Sequence, residues 1–428
     1  MYPVAIVWFR NNLRIHDNEV LVKATAKAEI VIPVYVIDNE LLGGANFGFR
    51  KMGVHRAKFM LEAVTDLAKS LEQLGTKLQV HTGDTTEILT KLVAEYGANA
   101  IFAEAYHTSE EQTLQEKVET AVWKQQVTVV WEEGNTMVHS ADLPFPVTQL
   151  PNIFTEFRKA AEREVRIRPL AKTPHRIKST SLPDTVIPTL TSLGYSSAEI
   201  AKLTESGKKQ FFEGGETAGL DRVQEYLWDT NLIETYKETR NGLLGNKYST
   251  KFSAWLAFGC LSARYLYHEV RKYEREICSN DSTYWVIFEL YWRDYFAFVA
   301  RKFGTSIFLK GGIKQQITTT KTFKAGIDKW IAGETGNPFI DANMRELALT
   351  GFMSNRGRQN VASYFVKDLK QDWRIGAAYF EEQLIDYDVC SNWGNWNYVA
   401  GIGNDPREDR YFNTYKQASM YDAEAKYI

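Results

Sequence analysis

The sequence predicts two differently built parts, an α/β domain with a doubly wound, mainly parallel sheet and, after a connector, an all-α domain. Three observations carry this prediction. Up to residue 131, β-branched apolar runs alternate with stretches of helical spacing. From 132 to 206 the regular pattern fades, and seven of the chain's 11 prolines gather there. From 207 to 428 the apolar residues recur at three-and-four spacing.

In the first part, Val4 to Phe9 and Ile30 to Ile37 read as strands. Phe59, Ala63, Val64, Leu67, Leu71 and Leu74 then mark a helix before a strand at Lys77 to His81. A helix around Ile88 to Tyr96, a buried strand at Ala100 to Ala103, a helix at Glu110 to Lys124 and a strand at Val127 to Trp131 complete the alternation. Ligands of such sheets bind beyond the carboxyl ends of the strands. No G-x-G-x-x-G or Walker loop follows any strand, and Gly43, Gly44 and Gly48 have neither spacing, so they read as a connection. The connector carries Arg158, Lys159, Arg163, Arg166, Arg168, Lys172, Arg176 and Lys178, which are open to phosphate contact or simply to solvation on a surface-wrapped linker. Beyond it, helices are expected over Gln224 to Leu232, Lys251 to Gly259, Ser262 to Arg275, Tyr284 to Phe303, Gly326 to Ala332, Asp341 to Thr350 and Arg358 to Asp368.

At 428 residues, with 44% apolar and 13% aromatic residues, the chain is globular. A formal net charge of -2 provides no global field for nucleic acid, so any phosphate-binding surface has to be local. Cys260, Cys278 and Cys390 have no metal or redox spacing, which predicts no disulfide and suits a reducing cytosol. The opening MYPVAIVWFR is too short for a signal peptide, and no stretch has the length of a membrane span. A soluble, cytoplasmic, monomeric protein without a metal is expected, and the residues name no protein partner.

The stretch from Thr350 to Pro406 departs from ordinary core composition. It sets Asn355, Arg356, Arg358, Asp386, Asp388, Asn392 and Asn395 among Phe352, Tyr364, Phe365, Trp373, Trp393, Trp396 and Tyr398. Buried charge is costly unless paired, so either these groups are solvated between apolar faces or an aromatic shell holds a polar ligand. Tyr248, Ser249, Thr250 and Ser253 place hydroxyls before and within the first turn of a helix, where Ser249 or Thr250 caps it or the group adds to a pyrophosphate site. Glu289, Trp292, Arg293 and Phe296 share one helical face, which suits a flat hydrogen-bonding ligand or a surface pair beside a core indole. No histidine follows His268, so imidazole chemistry is unavailable beyond it and a cofactor has to carry any reaction built on that stretch.

In FRNNLRIHDN (9–18), DANMREL (341–347), TGFMSNRGRQNVASYFVKDL (350–369), DYDVCSNWGNWNYVAGIGNDPR (386–407) and GNDPREDRYFN (403–413), the chain resembles the photolyase and cryptochrome family, and within it the cryptochrome-DASH subfamily. The resemblance spans almost the whole chain. It implies an α/β antenna domain, a long linker and an all-α flavin-binding domain holding FAD. Tyr236, Ser249, Thr250, Lys251 and Ser253 then resemble the pyrophosphate-binding segment. Arg358 and Asp386 resemble the ion pair beside the isoalloxazine, Asp388 the carboxylate at its polar edge, and Asn392 the residue facing its redox-active nitrogen. Glu289, Arg293 and Asn355 join this cofactor set. Glu289 and Trp292 resemble the carboxylate and indole that meet a thymine pair, Arg240 and Arg356 the arginines that meet phosphate. Gln359 and Tyr398 stand where duplex-acting photolyases carry Met and Trp.

The implied activity is repair of cyclobutane pyrimidine dimers: blue light excites reduced flavin, an electron passes to the dimer, the ring opens and the electron returns. A polar pocket with less stacking surface points to single-stranded DNA. The alternative is a photoreceptor that signals through its flavin redox state. Trp396 and Trp373 resemble the inner members of an electron-transfer chain whose surface member falls at Ile317 to Lys321, where the chain reads ITTTK. Tyr106 stands where the subfamily places the glutamate that grips a methenyltetrahydrofolate antenna, and this chain departs from the pattern there.

Overall fold

The computed structural model describes all residues except 206–210, 317–319, 321–322 and 408–409. Its first part is built on β1 (Tyr2–Phe9), β2 (Ala28–Asp38), the two-residue strands β3 (Ala45–Asn46) and β4 (Phe49–Arg50), β5 (Gln79–Gly83), β6 (Ala100–Glu104) and β7 (Thr128–Glu132). The main sheet has the order β5-β2-β1-β6-β7 and is parallel throughout, as near-continuous apolar strands covered on both faces require. β3 and β4 form a separate hairpin across the loop that holds Gly48.

The strand order reverses between β1 and β6, where a ligand would be expected. Just beyond those strand ends the Arg10 guanidinium lies 4.7 Å from the Trp8 ring and 4.6 Å from the Tyr106 ring. It donates to the Glu104 carbonyl at 3.1 Å and to Gln115 Oε1 at 2.7 Å.

The connector is more ordered than its composition predicts. It contains the helix Phe154–Glu164, whose Phe157 and Ala161 are fully buried, and the helix Ser197–Glu205. Phe154, Phe157 and Ala161 recur at three-and-four spacing, a signal too short to stand out among prolines and charges. The following region is helical. Its longest helix, Asp281–Phe303, starts in a capping box made by Asn280 and Thr283.

Two predicted helices take a different form. Gln224 to Asp229 is a single π-helical turn continuing the helix Glu216–Val223, and Tyr364 to Asp368 is another, continuing Asn355–Ser363. A buried ion pair ties the two parts of the chain together. Arg264 Nη2 meets Asp17 Oδ1 at 2.7 Å, and Asp17 also accepts from the Ala171 backbone at 2.8 Å. All three cysteines are free thiols.

Candidate functional site

A cavity of about 410 Å³ opens within the helical part, and a second of about 100 Å³ shares with it Asn355, Arg358, Gln359, Asp386 and Asp388. Its floor is the segment from Tyr248 to Ser253. Lys251 adopts a left-handed backbone, φ +61°, unusual for a residue with a Cβ. That turn changes the expected start of the helix, which runs only from Ser253 to Ala257 and has no side-chain cap. Ser249 and Thr250 therefore do not cap it. The buried Arg222 fixes this backbone, donating to the carbonyls of Asn246, Ser249 and Thr250 at 2.8, 3.0 and 3.0 Å. Ser249, Thr250, Lys251 and Ser253 line the cavity as a result.

The Lys251 ammonium sits 3.7 Å from the Tyr248 ring and 4.3 Å from the Phe352 ring, and bonds the Tyr248 hydroxyl. Burial pushes its pKa down to about 7, against the opposing pull of Glu346. A buried cation among hydroxyls and a turned backbone is a donor set suited to a diphosphate.

The facing wall comes from two helices and the loop between others. Ser354 caps Asn355–Ser363, accepting from Gly357 N at 3.0 Å, which presents Asn355 and Arg358. Arg358 Nη2 donates to both Asp386 oxygens, at 2.9 and 2.8 Å. Asp388 caps the helix Val389–Ala400 by accepting from Ser391 N at 2.7 Å, and so fixes the direction from which Asn392 enters the second cavity. Asn392 Nδ2 is committed to the Ala377 carbonyl at 3.1 Å.

The third wall is the helix Asp281–Phe303, which brings Glu289, Trp292, Arg293 and Phe296 into the cavity together, as their spacing predicts. Glu289 pairs with Arg240; burial raises its pKa and Arg240 lowers it in part. Arg293 is held by the Asn135 carbonyl and side chain. Tyr398 meets Trp292 edge-on, with 6.0 Å between centroids and a 90° interplanar angle. Its hydroxyl accepts from Arg410 Nη2 at 3.0 Å, and the buried Asp405 anchors Arg410. Tyr236 and Gln359 complete the expected lining.

Arg356 and Trp373 line neither cavity. Arg356 donates to Gln359 at 2.9 Å and to Asn241 at 2.8 Å, with its guanidinium 4.7 Å from the Tyr421 ring, so it reaches the cavity only through Gln359. Trp373 and Trp396 are both buried. The Trp396 ring touches Phe380, Phe365 and Trp330 at 5.2, 6.1 and 6.4 Å, whereas Trp373 packs on Trp393 at 5.6 Å. Of the place expected for a surface tryptophan, Ile317 to Thr319 and Lys321 lie outside the described residues.

None of the seven histidines lines either cavity. Among the described residues there is no cluster of His, Cys, Asp or Glu suited to a metal, and no helix is long and apolar enough to cross a membrane. Tyr248, expected among the hydroxyls at the helix start, lies against the Lys251 ammonium instead, and sequence reasoning assigned no role to Arg222, Asn135 or Arg410. Arg410 lies inside the quoted run GNDPREDRYFN; for Arg222 and Asn135 nothing local marks a contact made across the fold.

Residues 5–176 match the family described as DNA photolyase, and residues 285–428 match the FAD binding domain of DNA photolyase. The chain is 47% identical to Cryptochrome DASH of Gloeobacter violaceus over 99% of its length and 84% of the relative's. It is also 47% identical to Cryptochrome DASH of Danio rerio, covering 99% of this chain and 82% of that one. Among solved structures, a Synechocystis cryptochrome superposes with a TM-score of 0.92 at 43% identity, over 99% of this chain and 87% of the other. A bacterial class III photolyase from Agrobacterium tumefaciens gives 0.86 at 26% identity, over 100% and 86%.

The donor set around Lys251 and the Arg358–Asp386 pair fits the FAD that such a domain binds. Tyr106, where the chain departs from the folate-binding pattern, lies under the Arg10 guanidinium at 4.6 Å. With FAD as its cofactor, this chain belongs to the photolyase and cryptochrome family, in the cryptochrome-DASH branch.

Proposed function

We propose that the protein is a light-driven enzyme that repairs cyclobutane pyrimidine dimers in single-stranded DNA. One observation carries this reading: Glu289 and Trp292, a carboxylate and an indole suited to a thymine pair, line the same cavity as Lys251, Arg358, Asp386 and Asp388. A sensor that never meets a lesion has no use for them there. Reduced FAD, when bound, supplies the light-driven electron that opens the ring and receives it back.

The chain's own residues bind and orient the dimer. Glu289, held by Arg240, offers a carboxyl to the polar edges of the pyrimidines. Trp292 offers the flat surface, and Tyr398 and Gln359 bound the pocket with polar groups. Extracting a base from a duplex costs a few kcal/mol, and stacking returns roughly 1–3 kcal/mol per base. Tyr398 stands edge-on to Trp292 and so adds no second face parallel to the indole from which to recover that cost. A dimer in a single strand carries a smaller cost, and the net charge of -2 adds no general attraction for duplex.

The test is repair under blue light, with the flavin chemically reduced beforehand, on the same dimer in single-stranded and duplex oligonucleotides. Repair confined to the single strand is expected, and Glu289→Ala is expected to reduce it while FAD stays bound. Repair of neither substrate by the FAD-loaded protein refutes the proposal and favours a photoreceptor. Equal repair of both refutes the strand preference.

A further inference from the structure

The connector, which reads in the sequence as a surface wrapping, supplies the backing of the cavity's indole. Phe154, the first residue of the helix Phe154–Glu164, is buried and lies face to face with Trp292, with 3.7 Å between centroids and 11° between planes. Its edges meet Phe288 at 5.2 Å and 84° and Tyr295 at 5.7 Å and 70°. Residues 288, 292 and 295 lie on one face of the helix Asp281–Phe303, so Phe154 sits in an aromatic box built around the indole. Trp292 lines the cavity and Phe154 does not, which places Phe154 behind the indole.

The residues just before Phe154 are tied down on both sides. The Pro151 carbonyl accepts from the Tyr295 hydroxyl at 3.1 Å, and the Leu150 carbonyl accepts from Lys302 at 2.7 Å. The Asn152 carbonyl accepts from Asn404 Nδ2 at 2.9 Å. Asn404 adjoins Asp405, which holds Arg410 and through it the Tyr398 hydroxyl. One short stretch of connector thus braces Trp292 directly and reaches Tyr398 through Asn404, Asp405 and Arg410.

We propose that Phe154 is a positioning residue for ligand recognition: by stacking on the rear face of Trp292, it fixes the indole plane so that one face is presented to a pyrimidine dimer. This rests on the dimer-binding reading above. An indole free to turn has to be ordered when the ligand arrives, and the cost comes out of the stacking gain. A flat ring pair also contributes beyond the area it buries, so a side chain of similar volume without a ring does not replace it.

The test measures binding in the dark by the FAD-loaded protein, using single-stranded oligonucleotides of one sequence with and without a thymine dimer. The readout is the ratio of the two affinities for the unaltered protein and for Phe154→Leu, Phe154→Tyr and Trp292→Ala, with FAD content as the check on folding. Phe154→Leu is expected to lower the ratio roughly threefold to tenfold. Phe154→Tyr, which keeps the ring, is expected to restore it to within about twofold by the same reasoning. The inference is overturned if Phe154→Leu discriminates like the unaltered protein while Trp292→Ala does not. It is equally overturned if the Leu and Tyr variants are impaired alike, or if Phe154→Leu loses FAD. If Trp292→Ala itself keeps full discrimination, the dimer-binding reading fails, which is a different result.

Discussion

Affinity for FAD should fall as pH rises through neutrality, and Lys251 is the reason. In the cofactor-free protein its ammonium is buried beside Tyr248 and Phe352, and its pKa is pushed down to about 7, chiefly by burial. Glu346 draws it up, while Arg358 and Arg222 lower it further. A diphosphate placed against this amine restores the charged form, so binding above pH 7 takes up a proton. Below that pH both states are protonated and affinity is flat; above it, affinity falls by up to tenfold per pH unit until the bound-state pKa is reached. Between pH 6.5 and 8.5 the expected loss is about 25-fold, as an order of magnitude.

The effect on stability has the opposite sign. Between pH 7 and the unfolded lysine value near 10.5, the folded cofactor-free chain carries fewer protons than the unfolded one, so its stability rises across that window. Titrating FAD into the cofactor-free protein, followed by quenching of flavin fluorescence across that pH range, measures the affinity. Lys251→Met should bind weakly and with little pH dependence. An affinity that is flat from pH 6.5 to 8.5, or equally sloped in Lys251→Met, refutes the assignment.

The remaining predictions concern the other walls. Asp386→Asn leaves the Arg358 guanidinium, 24% exposed, without its carboxylate. It should destabilise the cofactor-free protein by about 2 kcal/mol in urea denaturation, and an unchanged midpoint would exclude a stabilising pair. Gly376→Ala tests Trp396 as an electron relay, because a Cβ there would overlap its ring. Overpacking of this kind costs about 1–3 kcal/mol, and photoreduction of bound FAD should slow; equal rates in both proteins would mean the ring can shift freely. Asn392→Asp should alter the absorption spectrum that develops when bound FAD is illuminated, and identical spectra would remove Asn392 from contact with the flavin.

Much of the site was readable where chemistry and spacing coincide on one element. Glu289, Trp292, Arg293 and Phe296 share a helical face by arithmetic alone, and they enter the cavity together. Arg358, Asp386, Asp388 and Asn392 lie in runs long enough to resemble known proteins, and they line one wall. Ser249 and Thr250 were legible as polar groups at a helix start but not as uncapped ones. The left-handed turn at Lys251 and the grip of Arg222 depend on residues some 25 positions away. Arg356 and Trp373 matched their motifs as well as their neighbours did, yet side-chain direction keeps both out of the cavities.

The amino-acid sequence by itself determined the parallel sheet, the helical second part and the residue types that line the main cavity, because each follows from local periodicity or from an unbroken run of side chains. Only the tertiary structure decided what braces that site. Phe154 behind Trp292, Asn135 on Arg293 and Asp405 with Arg410 on Tyr398 are contacts between segments whose local patterns do not refer to one another. Such contacts arise when elements pack to bury their apolar faces, and the partner each side chain meets is set by the geometry of that packing.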